Sequence, residues 1–377
     1  MQELWYGNLE EEKNRINNKK SHKIIWGFLF MKDVLKIVFV IIGTLIGAGF
    51  ASGQEIYLFF FSYGIKGIVG IIISSILMGF IIYKTLIIVD KYEINTYKDF
   101  LYILIQNKTV KKVNYFNLKN IINLVINIFI LVTFFIMIAG FGAYFEQQFG
   151  LNSIIGSSIL AGLSFIIFLT SVKGVVKANE ILVPILILFL IIIGIMNLSE
   201  INLTELGKYI IRTNQSNYIL SSILYCSYNS ILLIPVLLTL KKYINNKKQI
   251  FLIGTISTLI TIILAIIIFL ILVRVDVDIT KLEMPAVYVV SNMFRALEII
   301  YGFIILGSIF TTSISLGTSF LKNVSKNKKS YTQIAVIMCI TSIVVSKIGF
   351  SNLINLLYPI FGYLGLIQIW KIARKIR

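Results

Sequence analysis

The stretch "GTLIGAGFASGQE", Gly43 to Glu55, decides how the rest of the chain is read. Gly43, Gly47, Gly49 and Gly53 fall inside the first long apolar run, although each glycine costs a helix interior about 1 kcal/mol relative to alanine. Two readings compete. A small-xxx-small face, Gly43 with Gly47 or Gly49 with Gly53, would let another helix approach closely. Alternatively the helix is interrupted near Gly47 to Ala51 and its freed backbone groups line a polar cavity, where irregular backbone is tolerated at membrane depth. The residues that follow favour the interruption. Ser52, Gly53, Gln54 and Glu55 have the spacing of a capping box, with the serine accepting from the third amide of a new helix and the glutamate reaching back to the serine amide. A helix N-terminus written into the middle of an apolar span presents unpaired amides and partial positive charge, which suit a solute carboxylate. The carbonyls freed at the end of the preceding half suit a cation. Gly47, Ala48, Gly49, Phe50, Ser52, Gly53 and Glu55 are therefore candidate substrate-binding residues. Glu55 has a bland reading, the cap alone, and a sharp one, an intramembrane acid whose protonation or cation pairing enters a transport cycle. A permanent anion here would oppose a carboxylate ligand, so a functional Glu55 is expected to be neutralised for part of the cycle.

Composition places the whole chain in a bilayer. Its 377 residues are 57% hydrophobic and 14% charged, with a mean hydropathy of +0.88, well beyond an ordinary soluble domain. Ten apolar spans are expected, near 33 to 63, 66 to 90, 119 to 147, 153 to 172, 175 to 198, 216 to 240, 249 to 273, 287 to 321, 331 to 348 and 352 to 372. Each is long enough to cross about 30 Å of hydrocarbon. The net charge of +18 does not mark a nucleic-acid binder, because the basic residues sit in the short connections. Groups such as Lys108, Lys111 and Lys112, or Lys241, Lys242, Lys247 and Lys248, follow the even-numbered spans, and Lys371, Arg374, Lys375 and Arg377 end the chain. The other connections hold only Lys66, Lys208, Arg212, Arg274, Lys281, Arg295 and Lys347. That bias puts both termini in the cytoplasm and supports an even number of crossings.

Residues 1–31 form a polar tail with the single histidine, His22, and a short "IIWGFLF" run that lacks a cleavage site; Met31 is an alternative start. Cys226 and Cys339 lie in separate apolar spans and read as free buried thiols. With one histidine, no metal centre is expected. Absence of a Ser/His/Asp set, an HExxH or paired intramembrane aspartates argues against an enzyme.

Inverted-repeat transporters place a second interrupted helix in the other half. Span six offers "ILYCSYNSILLIP", with Tyr225, Ser227, Tyr228, Asn229 and Ser230 before Pro235. This is either a second break that adds Tyr225, Ser227, Tyr228 and Asn229 to the solute site, or a kinked helix with inward polar groups. In span eight, "GSIFTTSISLGTS" gives Ser308, Thr311 and Thr312, or Ile309, Thr312 and Ser313, the i, i+3, i+4 spacing that lines oxygens along one face. Opposite the span-one break those oxygens suit a monovalent cation; alone, they read as hydroxyls bonded to their own backbone. Span five opens "GVVKANEILVP", where Lys177 either snorkels beside Glu180 or takes part in coupling. The outer "VRVDVDITKLEMPA" loop gathers Asp276, Asp278 and Glu283, which serve solubility or form an ion-attracting vestibule.

The opening "GTLIGAGFASGQEIYLFF", followed by Tyr63 and Gly64, resembles the YkvI family of bacterial membrane proteins, permeases of the amino acid, polyamine and organocation superfamily, over most of residues 31–377. That resemblance implies the leucine-transporter architecture, a 5+5 inverted repeat with helices one and six discontinuous. Repeat one would occupy residues 32–200 and repeat two residues 201–377. It further implies a sodium ion held by carbonyls within Gly43 to Gly49, Thr44 and Ile46 included, and by Ser308, Thr311, Thr312 or Ser313. Gly174 and Pro184 match a Gly-x9-Pro spacing that unwinds helix five in sodium symporters of this fold. The expected function is cation-coupled symport of a small amino-acid-like solute, with sodium or protons as the coupling ion. The alternative is a solute-sensing receptor subunit on a transporter fold, without net flux. The partners expected are the lipid bilayer, the solute and the cation.

Overall fold

The computed structural model describes residues 30–94, 97–105, 112–170, 173–198, 217–244, 246–293 and 295–375. The tail with His22 lies outside them. All regular structure there is helical.

The first span is broken where the glycines cluster. Helix α1 covers 30–45, and its ladder ends with the Ile46 amide donating to Ile42 O at 2.7 Å. Gly47 then adopts extended backbone, with φ −86° and ψ −171°, and leads into a single turn, α2, Ala48–Ala51. Gly53 sits at φ +84°, a left-handed conformation that an L side chain resists, and opens α3, Gln54–Phe59. A 3-10 turn, Phe61–Tyr63, delivers the chain to α4, Ile65–Lys91.

A short helix, α5, Tyr97–Ile105, lies between α4 and the long α6, Lys112–Phe149. Helix α7, Ser153–Leu169, starts at Asn152, whose side chain accepts from the Ile154 amide at 3.0 Å. Next come α8, Lys173–Leu198, and α9, Tyr218–Leu240, which carry Pro184 and Pro235 inside them. Asn246 caps α10, Lys247–Leu272. The span expected over 287–321 is divided: α11, Pro285–Ser291, with proline in its first turn, precedes α12, Arg295–Val324. Helices α13, Lys328–Ser346, and α14, Phe350–Lys375, complete the bundle.

Seven described helices are long and apolar enough to cross a membrane: α4, α6, α9, α10, α12, α13 and α14. Apolar stretches of α7 and α8 are shorter, and the first span is interrupted. The bundle is apolar outside and polar within. Phe303, Ile195, Ile337 and Ile367 are all more than half exposed, while Ser74, Thr133, Ser222, Ser257 and Thr318 are buried. Only a hydrocarbon solvent favours that arrangement.

Helix α4 packs on α9 and α10, α6 on α7, α12 and α13, α7 on α13, α8 on α10 and α12, and α9 on α14. Close approach of α4 to α10 depends on two facing glycines. A Cβ on Gly79 would collide with the Thr258 hydroxyl, and one on Gly254 would press on the Gly79 carbonyl at 3.3 Å, so small residues let the two helices approach at the crossing.

Candidate functional site

The interruption of the first span is the centre of the bundle's polar interior, and three other elements hold its backbone. Tyr301 of α12, 1% exposed, donates its hydroxyl hydrogen to Ala51 O. The Ala286 amide of α11 donates to Ser52 O at 2.8 Å. Ser308 of α12 donates to Ile46 O at 3.4 Å. Ser221 of α9 donates to Phe59 O, at the far end of α3, at 2.7 Å. A helix that stops and restarts leaves orphan carbonyls, and the neighbouring spans supply their donors.

Glu55 does not complete a capping box. The α3 N-cap is Gly53 and no side chain caps it. Ser52 Oγ donates backwards to Gly49 O at 3.1 Å and lies 3.4 Å from the Gln54 amide. The carboxyl leaves its own helix. Tyr228 of α9 donates to Glu55 Oε2, the Phe50 amide is its other hydrogen-bond partner, and the group packs so closely on Gly49 that a Cβ there would strike it. Glu55 is 4% exposed and is the one Asp, Glu, Lys or Arg that is buried among the described residues.

Aromatic rings enclose the Tyr228 to Glu55 contact. Tyr228 stacks on Tyr358 of α14 at 4.6 Å and on Phe59 of α3 at 5.4 Å, with Tyr225 edge-on at 5.5 Å. Gln54 extends towards α14, where its Nε2 lies 3.5 Å from Asn355 Oδ1; its own Oε1 is buried without a partner. A pocket of about 250 Å³ opens between α3, α9 and α14, lined by Leu58, Phe59, Tyr63, Ser221, Leu224 and Tyr363. Phe59 is at once a wall of that pocket and a cover over Tyr228.

Two sequence expectations are corrected. Helix six is not discontinuous: α9 runs unbroken from Tyr218 to Leu240. It has no glycine to relax its backbone, and its hydroxyl and amide side chains bond one turn back instead. Ser227 donates to Ile223 O, Asn229 to Tyr225 O and Ser230 to Cys226 O, a pattern that leaves the ladder intact. The capping-box reading of Ser52 and Glu55 is the second, because the glutamate finds a tyrosine on another span.

Of the expected solute residues, the structure brings Gly47 to Glu55, Tyr225 and Tyr228 together. Ser227 faces α14, where its backbone packs on Gly365, and Asn229 bonds its own helix. Of the expected cation ligands, Ile46 and Ser308 meet. Thr44 bonds Val40 O at 2.8 Å, Thr311 bonds Ser308 O at 3.2 Å, and Thr312 is half-buried on the same helix. Ser313 points instead towards α7, 3.5 Å from Ser164. Gly43 packs against Val183, beside Pro184 of α8. Gly174 and Lys177 lie in the first turns of α8, in a stretch where side chains are outside the described set. Tyr301, Tyr358, Asn355 and Phe59 were not among the expected site residues. A tyrosine before proline in "LYPIFGY" and a tyrosine before glycine in "IIYGF" were the available signals, since a polar residue beside a helix breaker marks an inward face in a membrane helix.

No known family profile matches the chain. It is 31% identical over 349 residues to the membrane protein YkvI of Bacillus subtilis (strain 168), covering 90% of this chain and 95% of that one. The chain belongs to the YkvI family. This YkvI-family protein is also 26% identical over 334 residues to YyaD of the same organism, across 88% of this chain and 94% of YyaD. In three dimensions it is similar to the substrate-bound, outward-open form of a Na+-coupled sialic acid symporter, with a TM-score of 0.56, 11% identity and coverage of 89% of this chain and 78% of that one. At that identity the likeness is one of fold. A broken first span at the centre of a helical membrane bundle is therefore the site of this YkvI-family chain whose geometry is built for something other than packing.

Proposed function

We propose that the chain is a secondary active transporter that carries a small amino-acid-like solute in symport with a cation, sodium or a proton, across the bacterial plasma membrane. The observation that carries this reading is the span-one break, whose freed carbonyls and turns are gripped by α9, α11 and α12. Each grip is a contact that alternating access can make and release. The solute would lie against Gly47 to Gly53 and the Tyr225 and Tyr228 face of α9, and the cation between Ile46 O and the Ser308, Thr311 and Thr312 run of α12. Support for ten crossings in a 5+5 inverted repeat comes from the packing, where the second span meets the seventh, the third the eighth and the fourth the ninth. Both halves then follow the leucine-transporter plan, with a continuous sixth helix as this chain's departure from it. The tyrosine-lined pocket above Phe59 is the solute's approach.

Uptake of a mixed amino-acid and amine panel into proteoliposomes, under an imposed sodium gradient and separately a proton gradient, tests the reading. Accumulation under either gradient is expected. No accumulation under any gradient, together with ligand-dependent thermal stabilisation, would replace the transporter with a sensor on the same fold.

A further inference from the structure

Glu55 is more than a structural tie. Its two partners, the Tyr228 hydroxyl and the Phe50 amide, are both neutral. The titratable groups set against it are Tyr225 and Tyr228 on α9 and Tyr358 on α14. None carries a positive charge, and among the described residues no basic side chain pairs with the carboxyl. A full negative charge at this depth with no counter-charge is costly.

Three species can neutralise it, and the packing separates them. A sodium ion needs several oxygen ligands around it, but the carboxyl here meets one hydrogen-bond donor from the backbone and one from a phenol. An organic ammonium needs an open aromatic face, but both faces of Tyr228 are covered, by Phe59 and by Tyr358. A proton needs no volume. A phenol both donates and accepts, so Tyr228 holds the carboxyl in either protonation state.

We propose that Glu55 is a proton-binding site, loaded while α3 and α9 are in contact and emptied to water when they part. On release the O–H bond of the carboxyl breaks, its electron pair stays on the carboxylate, the proton passes to a water molecule, and Tyr228 keeps its own hydroxyl hydrogen. The consequence for coupling rests on the transporter reading above. A loaded Glu55 removes the negative charge beside Gly49 and Phe50, where a solute carboxylate would lie, so proton and solute bind cooperatively and the driving ion is the proton.

The test uses the full chain in lipid nanodiscs and in proteoliposomes. Infrared difference spectra between acidic and alkaline buffer are expected to contain a protonated-carboxyl band that is absent from Glu55→Gln. Tyr228→Phe retains the band and moves it to higher frequency, because the carboxyl loses a hydrogen-bond partner. In proteoliposomes, the wild type is expected to accumulate solute under a proton gradient without sodium, and Glu55→Gln to lose that accumulation by about tenfold or more, the size of an ordinary coupling between two sites. A carboxyl band that survives in Glu55→Gln, or stays unmoved in Tyr228→Phe, overturns the assignment. So does uptake that needs sodium and ignores the proton gradient. A band behaving as expected with no flux in the wild type supports the proton site and removes only the transporter reading.

Discussion

Tyr301 shows how one side chain makes a broken membrane helix affordable. Ala51 O is an orphan carbonyl in the interruption, and the Tyr301 hydroxyl is its donor. Replacing Tyr301 with phenylalanine keeps the ring and leaves the carbonyl buried and unpaired, at a cost of about 1–3 kcal/mol. Thermal unfolding in nanodiscs should show Tyr301→Phe melting below wild type; an unchanged transition would mean that water reaches Ala51 O. The glycine after Tyr301 marks an inward-facing tyrosine in the sequence, but nothing in the sequence says that Ala51 O is the carbonyl it reaches. Gly53 was legible, since a left-handed turn at φ +84° is what a glycine in an apolar span allows. Glu55 was legible as an oddity with two readings, a cap or an intramembrane acid, and the cap fails because its carboxyl meets Tyr228. The S-x-x-E spacing is local, whereas its hydrogen bond spans 173 positions of sequence.

Among elements, α9 and α11 departed most from expectation, for opposite reasons. The polar cluster in α9 looked like a break, yet hydroxyls that bond their own i−4 carbonyls satisfy themselves without opening the ladder. Nothing in the cluster's composition tells these outcomes apart; glycine does, and it is present in span one and absent here. The start of span eight looked continuous, yet Pro285 and the turn after Ser291 divide it. The loop before it also has a defined purpose. Glu283 Oε2 accepts from the Ser351 amide at 2.6 Å at the start of α14, Asp278 accepts from the Thr280 amide at 3.1 Å, and Asp276 takes the Tyr288 hydroxyl at 2.9 Å. These ties order the loop and leave Asp276 and Asp278 exposed. Burial pushes the Glu283 carboxyl above its usual range against the lowering effect of the Ser351 amide, with nearby Glu146 adding to the rise. The folded protein therefore binds a proton there more readily than the unfolded chain does. Stability tied to this group is complete below the ordinary carboxylate range and is lost as pH rises through the shifted value. Melting temperatures of wild type and Glu283→Gln, which stays neutral, should converge in acid and separate as pH rises, with wild type the lower; a gap that does not vary with pH would refute the linkage.

For the whole molecule, membrane class was legible because hydrocarbon inverts the usual surface, and Phe303 or Ile367 facing outward needs no partner chain to explain it. Which span packs on which was not legible from hydropathy, since lipid-facing and helix-facing leucines and isoleucines are the same residues. Orientation remains a matter of charge, because the fold is as stable in either direction and the basic connections alone favour one. Lys326 lies in the turn between α12 and α13 and Lys328 opens α13, on the end expected to face the cytoplasm, and Asp278 lies in the exposed loop after α10, on the opposite end. Native Cys226 and Cys339 are buried and should react slowly. In intact cells a membrane-impermeant maleimide is accordingly expected to label Asp278→Cys, and to label Lys326→Cys only after permeabilisation. The reverse pattern would place the tyrosine-lined pocket above Phe59 on the cytoplasmic side. Solute would then meet that pocket from within the cell in this state, while under the proposed alternating access the ion gradient, and not the side the pocket faces, would still set the direction of transport.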